Sequence, residues 1–351
     1  MLLSHLSPKR ILIVRLGAIG DIVMASGLIH ALSQRFPNAT IDWLSEPATA
    51  TMLNGHPLLE QVLTWPKAEW KQLLRQKQWK ALTSTISAFR QTLKQQGYDL
   101  VLDIQGLLKS TLLSRMTGCS QIIGLNSREK SHWLTKHSVY APHSQMMSSE
   151  YRYLAKQLGC KDEDFIYSLP CSTQDKAKVA LLLNSHNISS HFIALAPFTT
   201  RPQKHWPQQH WQTLIQCLKK HAPYPIVILG GPNDRQSATA LVGMSENVIS
   251  LAGECSLSQS AEVIRRARLL IGVDTGLTHM GTVFSRPTLA LFGSTMPYNA
   301  TPVASTKVLS LNLTCSPCRR HPTCNQAYQC LRDLTPSWVL QEAIHLMDEH
   351  A

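Results

Sequence analysis

The sequence predicts an α/β protein made of two Rossmann-like domains that face a central cleft. Three observations predict it. Short apolar runs alternate with helical patterns along most of the 351 residues, a length that suits two domains rather than one. That rhythm lapses over 161–190, which is rich in charge, Ser and Asn, and then starts again. The loops that follow the apolar runs carry the Gly, Thr, Asp and Lys residues that bind anions, and in open α/β sheets ligands bind beyond the carboxyl ends of the strands.

In the first half, RILIVR at 10–15 reads as a buried strand, followed by the GAIGD loop and a helical pattern over 21–35. A strand at 41–44 comes next, then one long helical region over 68–96. YDLVLDI at 98–104 is a strand leading into a helix through Leu107, Leu108, Leu112 and Leu113, and 121–124 is a further short strand. The stretch 127–149 is polar and irregular, and 151–158 reads as helical. The second half repeats the alternation. Strands are expected at 192–196, 225–229, 248–251, 269–273 and 288–292, with helices at 208–220, after GGPNDR, at 257–267 and from about Thr275. A terminal helix is expected over 338–349. Such alternation implies parallel sheets covered on both faces.

The bulk composition narrows the class. Apolar residues make up 44% and charged residues only 16%, so the chain has material for packed cores and is not a disordered polyelectrolyte. The net charge of +12 points to an acidic partner: nucleic acid, an anionic membrane surface or a phosphorylated substrate. The basic residues are scattered, with no zinc-finger spacing, RNP motif or basic heptad helix, which argues against nucleic acid. No apolar run reaches bilayer length and the first apolar stretch is too short for a signal peptide, so a cytoplasmic protein is expected, peripheral on a membrane at most.

Four motifs carry candidate chemistry. Gly17-Ala18-Ile19-Gly20-Asp21 follows the first strand; its glycines permit a tight turn, but it is not the GxGxxG of a dinucleotide site. Asp21 at the helix start fits either a capping carboxylate or a general base. Thr199, Thr200 and Lys204, ahead of a helix beginning after Pro207, offer hydroxyl donors and a cation that suit a diphosphate, against the plain alternative of a solvated polar loop. In GGPNDR, Asp234 is placed to accept ribose hydroxyls, and Asn233 equally to cap a helix. Asp274 ends a strand, Thr275, Gly276 and Leu277 present N–H groups at a helix start, and His279 follows one turn later.

Taken together, GAIGD, DIQGLLKS at 103–110, TTRPQKHWP at 199–207 and VDTGLTH at 273–279 resemble the lipopolysaccharide core heptosyltransferases of glycosyltransferase family 9, type I most of all. The resemblance runs over nearly the whole chain in the same order. It implies a GT-B fold, with 1–170 the acceptor-binding domain, 185–335 the ADP-sugar-binding domain, and 336–351 a terminal helix crossing back to the first. It also implies inverting transfer of L-glycero-D-manno-heptose from ADP-heptose to Kdo of the inner core, on the inner face of the inner membrane. Asp21 matches the family's catalytic base, and Lys204 offsets charge on the leaving ADP. Thr199, Thr200, Lys204, Asp274, Thr275, Gly276, Leu277 and His279 match donor-binding positions; Asp234 stands where the family often has a longer Glu. Gly17, Gly20, Gln105 and Lys109 fall on the acceptor side, with Lys71, Arg128 and Lys130 as further basic candidates. No DxD metal motif is present, so no cofactor is expected to be required for catalysis.

Cys315-x2-Cys318-x5-Cys324-x5-Cys330 departs from the type I pattern and resembles that of type II and other members. Its spacing suits a structural zinc site, although it is not the paired CxxC of a ribbon, and free thiols or disulfides are the alternatives. Transfer to the first heptose by a type II enzyme, or of another sugar by a related family 9 protein, stays open beside the type I reading. An oxidoreductase or a non-catalytic nucleotide-sugar binder is disfavoured by the absent GxGxxG and by Asp21.

Overall fold

The computed structural model describes residues 3, 5–188, 191–243, 247–318 and 321–350. The chain divides into two compact units, Met1–Ser144 with Ser148–Pro170, and Gln145–Met147 with Cys171–Ala351.

The first unit runs β1 (Arg10–Val14), α1 (Ile19–Ala25), α2 (Gly27–Arg35), β2 (Thr40–Ser45), α3 (Pro47–Ala50), β3 (Gln61–Thr64), α4 (Lys67–Arg75), α5 (Trp79–Gln95), β4 (Leu100–Asp103), α6 (Leu108–Met116), β5 (Ile122–Leu125), β6 (His137–Val139) and α7 (Ser149–Gln157). The second runs α8 (Thr173–Ser185), β7 (Ile193–Ala196), α9 (Gln208–His221), β8 (Ile226–Ile228), α10 (Arg235–Val242), β9 (Val248–Ser250), α11 (Leu257–Arg266), β10 (Leu269–Val273), α12 (Gly276–Val283), β11 (Thr288–Leu291), β12 (Thr306–Leu309), α13 (Gln329–Arg332) and α14 (Pro336–Glu349).

Each unit holds one six-stranded parallel sheet, ordered β3-β2-β1-β4-β5-β6 and β12-β11-β10-β7-β8-β9. Read from its own first strand, the second sheet has the same order as the first. In both, the order reverses beside the first strand, between β1 and β4 and between β7 and β10. The central strands read as unbroken apolar runs because helices cover both faces: Ile11 to Val14 and Leu269 to Ile271 are fully buried. The α/β class and the GT-B pair of Rossmann-like units are therefore as the sequence predicts.

Several elements differ from the sequence reading. The long helix expected over 68–96 is two helices, because Lys77 turns the chain with a φ of +56°. The helix expected over 21–35 is interrupted at Ser26, whose hydroxyl donates to the Val23 carbonyl at 2.8 Å. The strands β3, β6 and β12 sit at or next to the sheet edges and carry few fully buried residues, so their apolar signal is weak. Val339, Ala343, Leu346 and Met347 bury α14 in the core of the second unit, where it packs on α9. The Trp206 indole fastens the approach to it by donating to the Leu334 carbonyl at 2.8 Å.

Candidate active site

The strand-end loops at both switch points are cross-tied. In the first unit, the loop after β1 meets the loop after β4. The Leu16 N–H donates to Gln105 Oε1 at 2.8 Å, and the Arg15 guanidinium donates to the Ile104 carbonyl at 2.8 Å. The Asp103 carboxylate accepts the N–H groups of Gln105 and Gly106, at 3.2 and 3.1 Å, and so shapes the turn that presents Gln105. Burial pushes the Asp103 carboxyl up, against the pull of those donors. Gly106 must be glycine: its φ is +64°, and a Cβ there would sit 2.4 Å from the Leu125 carbonyl oxygen. The Arg128 N–H donates to the Gly106 carbonyl at 2.7 Å, which draws the basic 126–131 segment onto this turn.

Asp21 lies on the first turn of α1, behind Gly17 and Gly20, and is about one-third exposed. Its carboxylate accepts the Ala18 N–H at 3.3 Å, so the capping role is real. It also pairs with Arg15, which is almost entirely buried. The carboxylate thus stays open to solvent on one side while a fixed cation holds the other. Lys109 and Lys130 are exposed, and Lys130 places its ammonium 5.3 Å from the Trp133 ring centroid. Lys71 stands exposed on α4. These three lysines are surface groups near the chain segments of interest rather than parts of the Arg15–Asp21–Gln105 cluster.

In the second unit, Asp274 at the end of β10 is the hub. Lys204 reaches it at 2.6 Å, His279 Nε2 lies at 3.3 Å, and the Thr295 hydroxyl donates to the same carboxylate. Thr199 Oγ1 donates to the Asp274 carbonyl at 3.4 Å, tying the β7 loop to the β10 loop. Burial alone would push the Asp274 carboxyl up; the His279 hydrogen bond and the Lys204 ammonium overcome it and hold the group well below the usual carboxylate range. His279 is itself buried, with Nδ1 at 2.9 Å from the Tyr298 hydroxyl. A Tyr–His–Asp–Lys chain results, with Thr295 as a side branch. Directly above it begins α12. Its N-cap Thr275 makes no side-chain cap, so no side chain of the cap meets the N–H groups at the start of the helix. Thr275, Gly276 and Leu277 are each partly exposed there, while Thr200 is exposed on the neighbouring loop.

Asp234 folds back on its own turn and accepts the Gly231 N–H at 2.8 Å, which gives it the capping role that the sequence had equally offered to Asn233. It also lines a pocket of about 390 Å³ beside the Thr199–Lys204 loop, with Phe198, His205, Trp211 and Tyr328 among the walls. Two of the four C-terminal cysteines, Cys318 and Cys330, lie against the loop after β11. The Cys318 thiol points to the Ser294 carbonyl at 3.9 Å, and a Cβ on Gly293 would meet Cys330 Sγ at 2.8 Å. Burial and the neighbouring thiols push Cys330 up to about 11. Among the described residues no group of three or more His, Cys, Asp or Glu side chains is arranged to hold a metal ion. Cys315 is exposed and Cys330 is buried against Gly293.

Three site residues escape sequence reading. Arg15 precedes the glycine loop and looks like the end of a strand, yet it fixes Asp21. Thr295 and Tyr298 follow β11, another strand end of the same sheet. That position is the signal that marks them, although no recognisable motif surrounds them.

Two Rossmann-like units, each with its strand-end loops tied together at the switch point, have the architecture of GT-B glycosyltransferases. The family model of glycosyltransferase family 9 (heptosyltransferase) matches residues 86–329, and the chain belongs to that family. Lipopolysaccharide heptosyltransferase 1 of Pseudomonas aeruginosa is 29% identical over 315 residues, which span 88% of this chain and 86% of the relative. Lipopolysaccharide heptosyltransferase 2 of Salmonella typhimurium is 23% identical, over 97% of this chain and 99% of the relative. Among solved structures, E. coli heptosyltransferase WaaC with ADP-2-deoxy-2-fluoro heptose superposes with a TM-score of 0.71 at 27% identity, covering 97% of this chain and all of that one. A family 9 glycosyltransferase from Veillonella parvula shares the fold with a TM-score of 0.80 at 18% identity, covering 99% of each chain. Among the described residues no helix is long and apolar enough to cross a membrane.

Proposed function

We propose that this glycosyltransferase transfers L-glycero-D-manno-heptose from ADP-heptose to Kdo of the lipopolysaccharide inner core, with inversion, at the inner face of the inner membrane. The observation that carries the donor side is the Lys204–Asp274–His279 cluster beneath the open N-terminus of α12. The donor diphosphate sits on the N–H groups of Thr275, Gly276 and Leu277 and on the Thr199 and Thr200 hydroxyls. Lys204 has three N–H donors, so it keeps Asp274 while turning another toward the phosphate. Asp274, held by His279, faces the sugar hydroxyls, and Asp234 the ribose.

On the acceptor side, Asp21 removes the proton from the attacking hydroxyl. The new bond forms at the anomeric carbon as the bond to the diphosphate oxygen breaks, and ADP departs with the electron pair. Lys204 and the α12 dipole offset the charge it gains. Gly17 and Gly20 let the acceptor approach the backbone closely; Gln105, Lys109, Arg128, Lys130 and Lys71 receive its carboxylates and phosphates. Similarity to type 1 relatives at up to 29% identity supports Kdo as acceptor. The C-terminal cysteines and the match over 97% of the chain to type 2 relatives support a second reading, transfer to the first heptose.

The test is ADP release from ADP-heptose with Kdo2-lipid A or with a monoheptosylated core. Turnover with Kdo2-lipid A alone is expected; turnover only with the monoheptosylated core selects the second reading, and turnover only with another nucleotide sugar removes both. Asp21→Ala is expected to lower turnover by about 10²- to 10⁴-fold while ADP affinity, read by calorimetry, stays within about twofold. Unchanged turnover takes the base role away from Asp21.

A further inference from the structure

The helices α4 and α5 form a hairpin that the core of the first unit scarcely uses. α4 buries no residue, and α5 buries only Leu93. An aromatic stack holds the pair: Trp70 meets Trp65 and Phe89 edge-on, with ring centroids 6.0 and 5.6 Å apart. Beyond that stack the chain turns at Lys77, and every residue from Leu74 to Ala81 is exposed. Two of them are large and apolar, Leu74 at 49% and Trp79 at 58% exposure. Arg75, Lys77 and Lys80 are interspersed with them along the same exposed turn. Between Glu69 and Asp99 the chain has no acidic residue and six Lys or Arg.

An exposed Trp and Leu cost free energy in water, and their position at a fixed helical turn gives neither an internal partner. The single-signed charge decides what covers them. A protein surface of mixed charge would leave several of these cations opposite other cations, whereas a continuous plane of lipid phosphates meets them all. Trp settles at the level of lipid headgroups, and Lys and Arg extend their stems along apolar surface while their charged ends stay in the polar layer. Other exposed apolar side chains lie on neighbouring elements of the same unit. α5 packs on α6, which exposes Leu108 and Leu112, and α6 packs on the turn Ser131–Leu134, which exposes Trp133 at 72% beside Lys130. Of the large hydrophobic side chains exposed among the described residues, only Met146 and Leu181 belong to the second unit.

We propose that the α4–α5 tip docks this protein on an anionic lipid bilayer, with Leu74 and Trp79 entering the headgroup boundary and Arg75, Lys77 and Lys80 on lipid phosphates. The proposal deepens the reading above, whose acceptor is a membrane lipid, by naming the surface that brings the enzyme to it.

The test is co-sedimentation of the full chain with vesicles, without donor or acceptor, so that it stands apart from the transfer assay. Vesicles of phosphatidylethanolamine with one-third phosphatidylglycerol are expected to bind the protein, and pure phosphatidylcholine vesicles at least tenfold less. Arg75→Gln/Lys77→Gln/Lys80→Gln is expected to weaken partition about a hundredfold, and Leu74→Ser/Trp79→Ser at least tenfold. Both variants change only exposed residues, and wild-type thermal melts will show that they fold. Equal binding to both vesicle types, or variants that bind as the wild type does, overturns the proposal. So does release of the protein by millimolar glycerol phosphate, which would make the tip a site for a free phosphate. If vesicle binding behaves as expected but no heptose is transferred, the docking surface stands and the transfer reading falls.

Discussion

Asp274 is a buried carboxylate whose charge is met by the Lys204 ammonium at 2.6 Å. A buried carboxylate is costly unless its charge is met, so removing its cation leaves a larger penalty than removing both charges. Lys204→Ala is expected to lower the unfolding free energy by about 3 kcal/mol; Lys204→Ala/Asp274→Asn should recover most of that loss, as read by urea denaturation. The same pair sets an acid limit. Because the folded-state carboxyl is held below its unfolded value, its contribution is fully present above the ordinary carboxylate range and is lost as pH falls through the folded value. The melting temperature of the wild type should therefore fall more steeply below about pH 4 than that of Asp274→Asn, and parallel curves would remove this pair as the cause. The sequence shows Asp274, Lys204 and His279 as separate members of two motifs 70 residues apart; that one carboxylate gathers the others is a property of neighbouring β7 and β10, which only the sheet order supplies. Arg15 is the converse case: it is legible as a residue but not as the partner of Asp21, since nothing local announces that it turns inward.

At the scale of elements, the strand-end loops depend on a few backbone positions. Gly106 lies where β4 turns into α6, and its carbonyl accepts from both Arg128 and Ser131. Gly106→Ala forces a side chain into the Leu125 carbonyl and is expected to cost about 2 kcal/mol or more. If Gln105 and Arg128 serve one acceptor site, the variant raises the KM for acceptor while the affinity for ADP is kept; a loss of ADP affinity would contradict that assignment. Central strands and helices were readable in the sequence because burial on both faces writes long apolar runs. β3, β6 and β12 were not, since they lie at or beside the sheet edges and are short. The break between α4 and α5 is illegible for another reason: 68–96 is helical in composition throughout, and the left-handed Lys77 has no Gly or Pro to mark it.

At the scale of the whole molecule, each unit has its own sheet and its own buried core. The donor cluster is confined to the second. A fragment spanning 171–351 is expected to fold and to bind ADP within about tenfold of the full chain, while showing no transfer; a fragment without ADP binding would mean that the donor cluster needs the first unit to hold its shape.

The shared strand order also sets a schedule. In the first sheet Ile11 pairs with Leu100, so the opening strand leaves the ribosome and then waits for 89 more residues before its second neighbour exists. At ordinary rates of synthesis that interval is roughly 4–18 s. Through it, one of the most apolar segments of the chain has β2 on one edge and nothing on the other. The newborn N-terminal half is thus a natural client for chaperones that bind emerging apolar strands, and slowing translation across α4 and α5 would lengthen its exposure at the moment it is least protected.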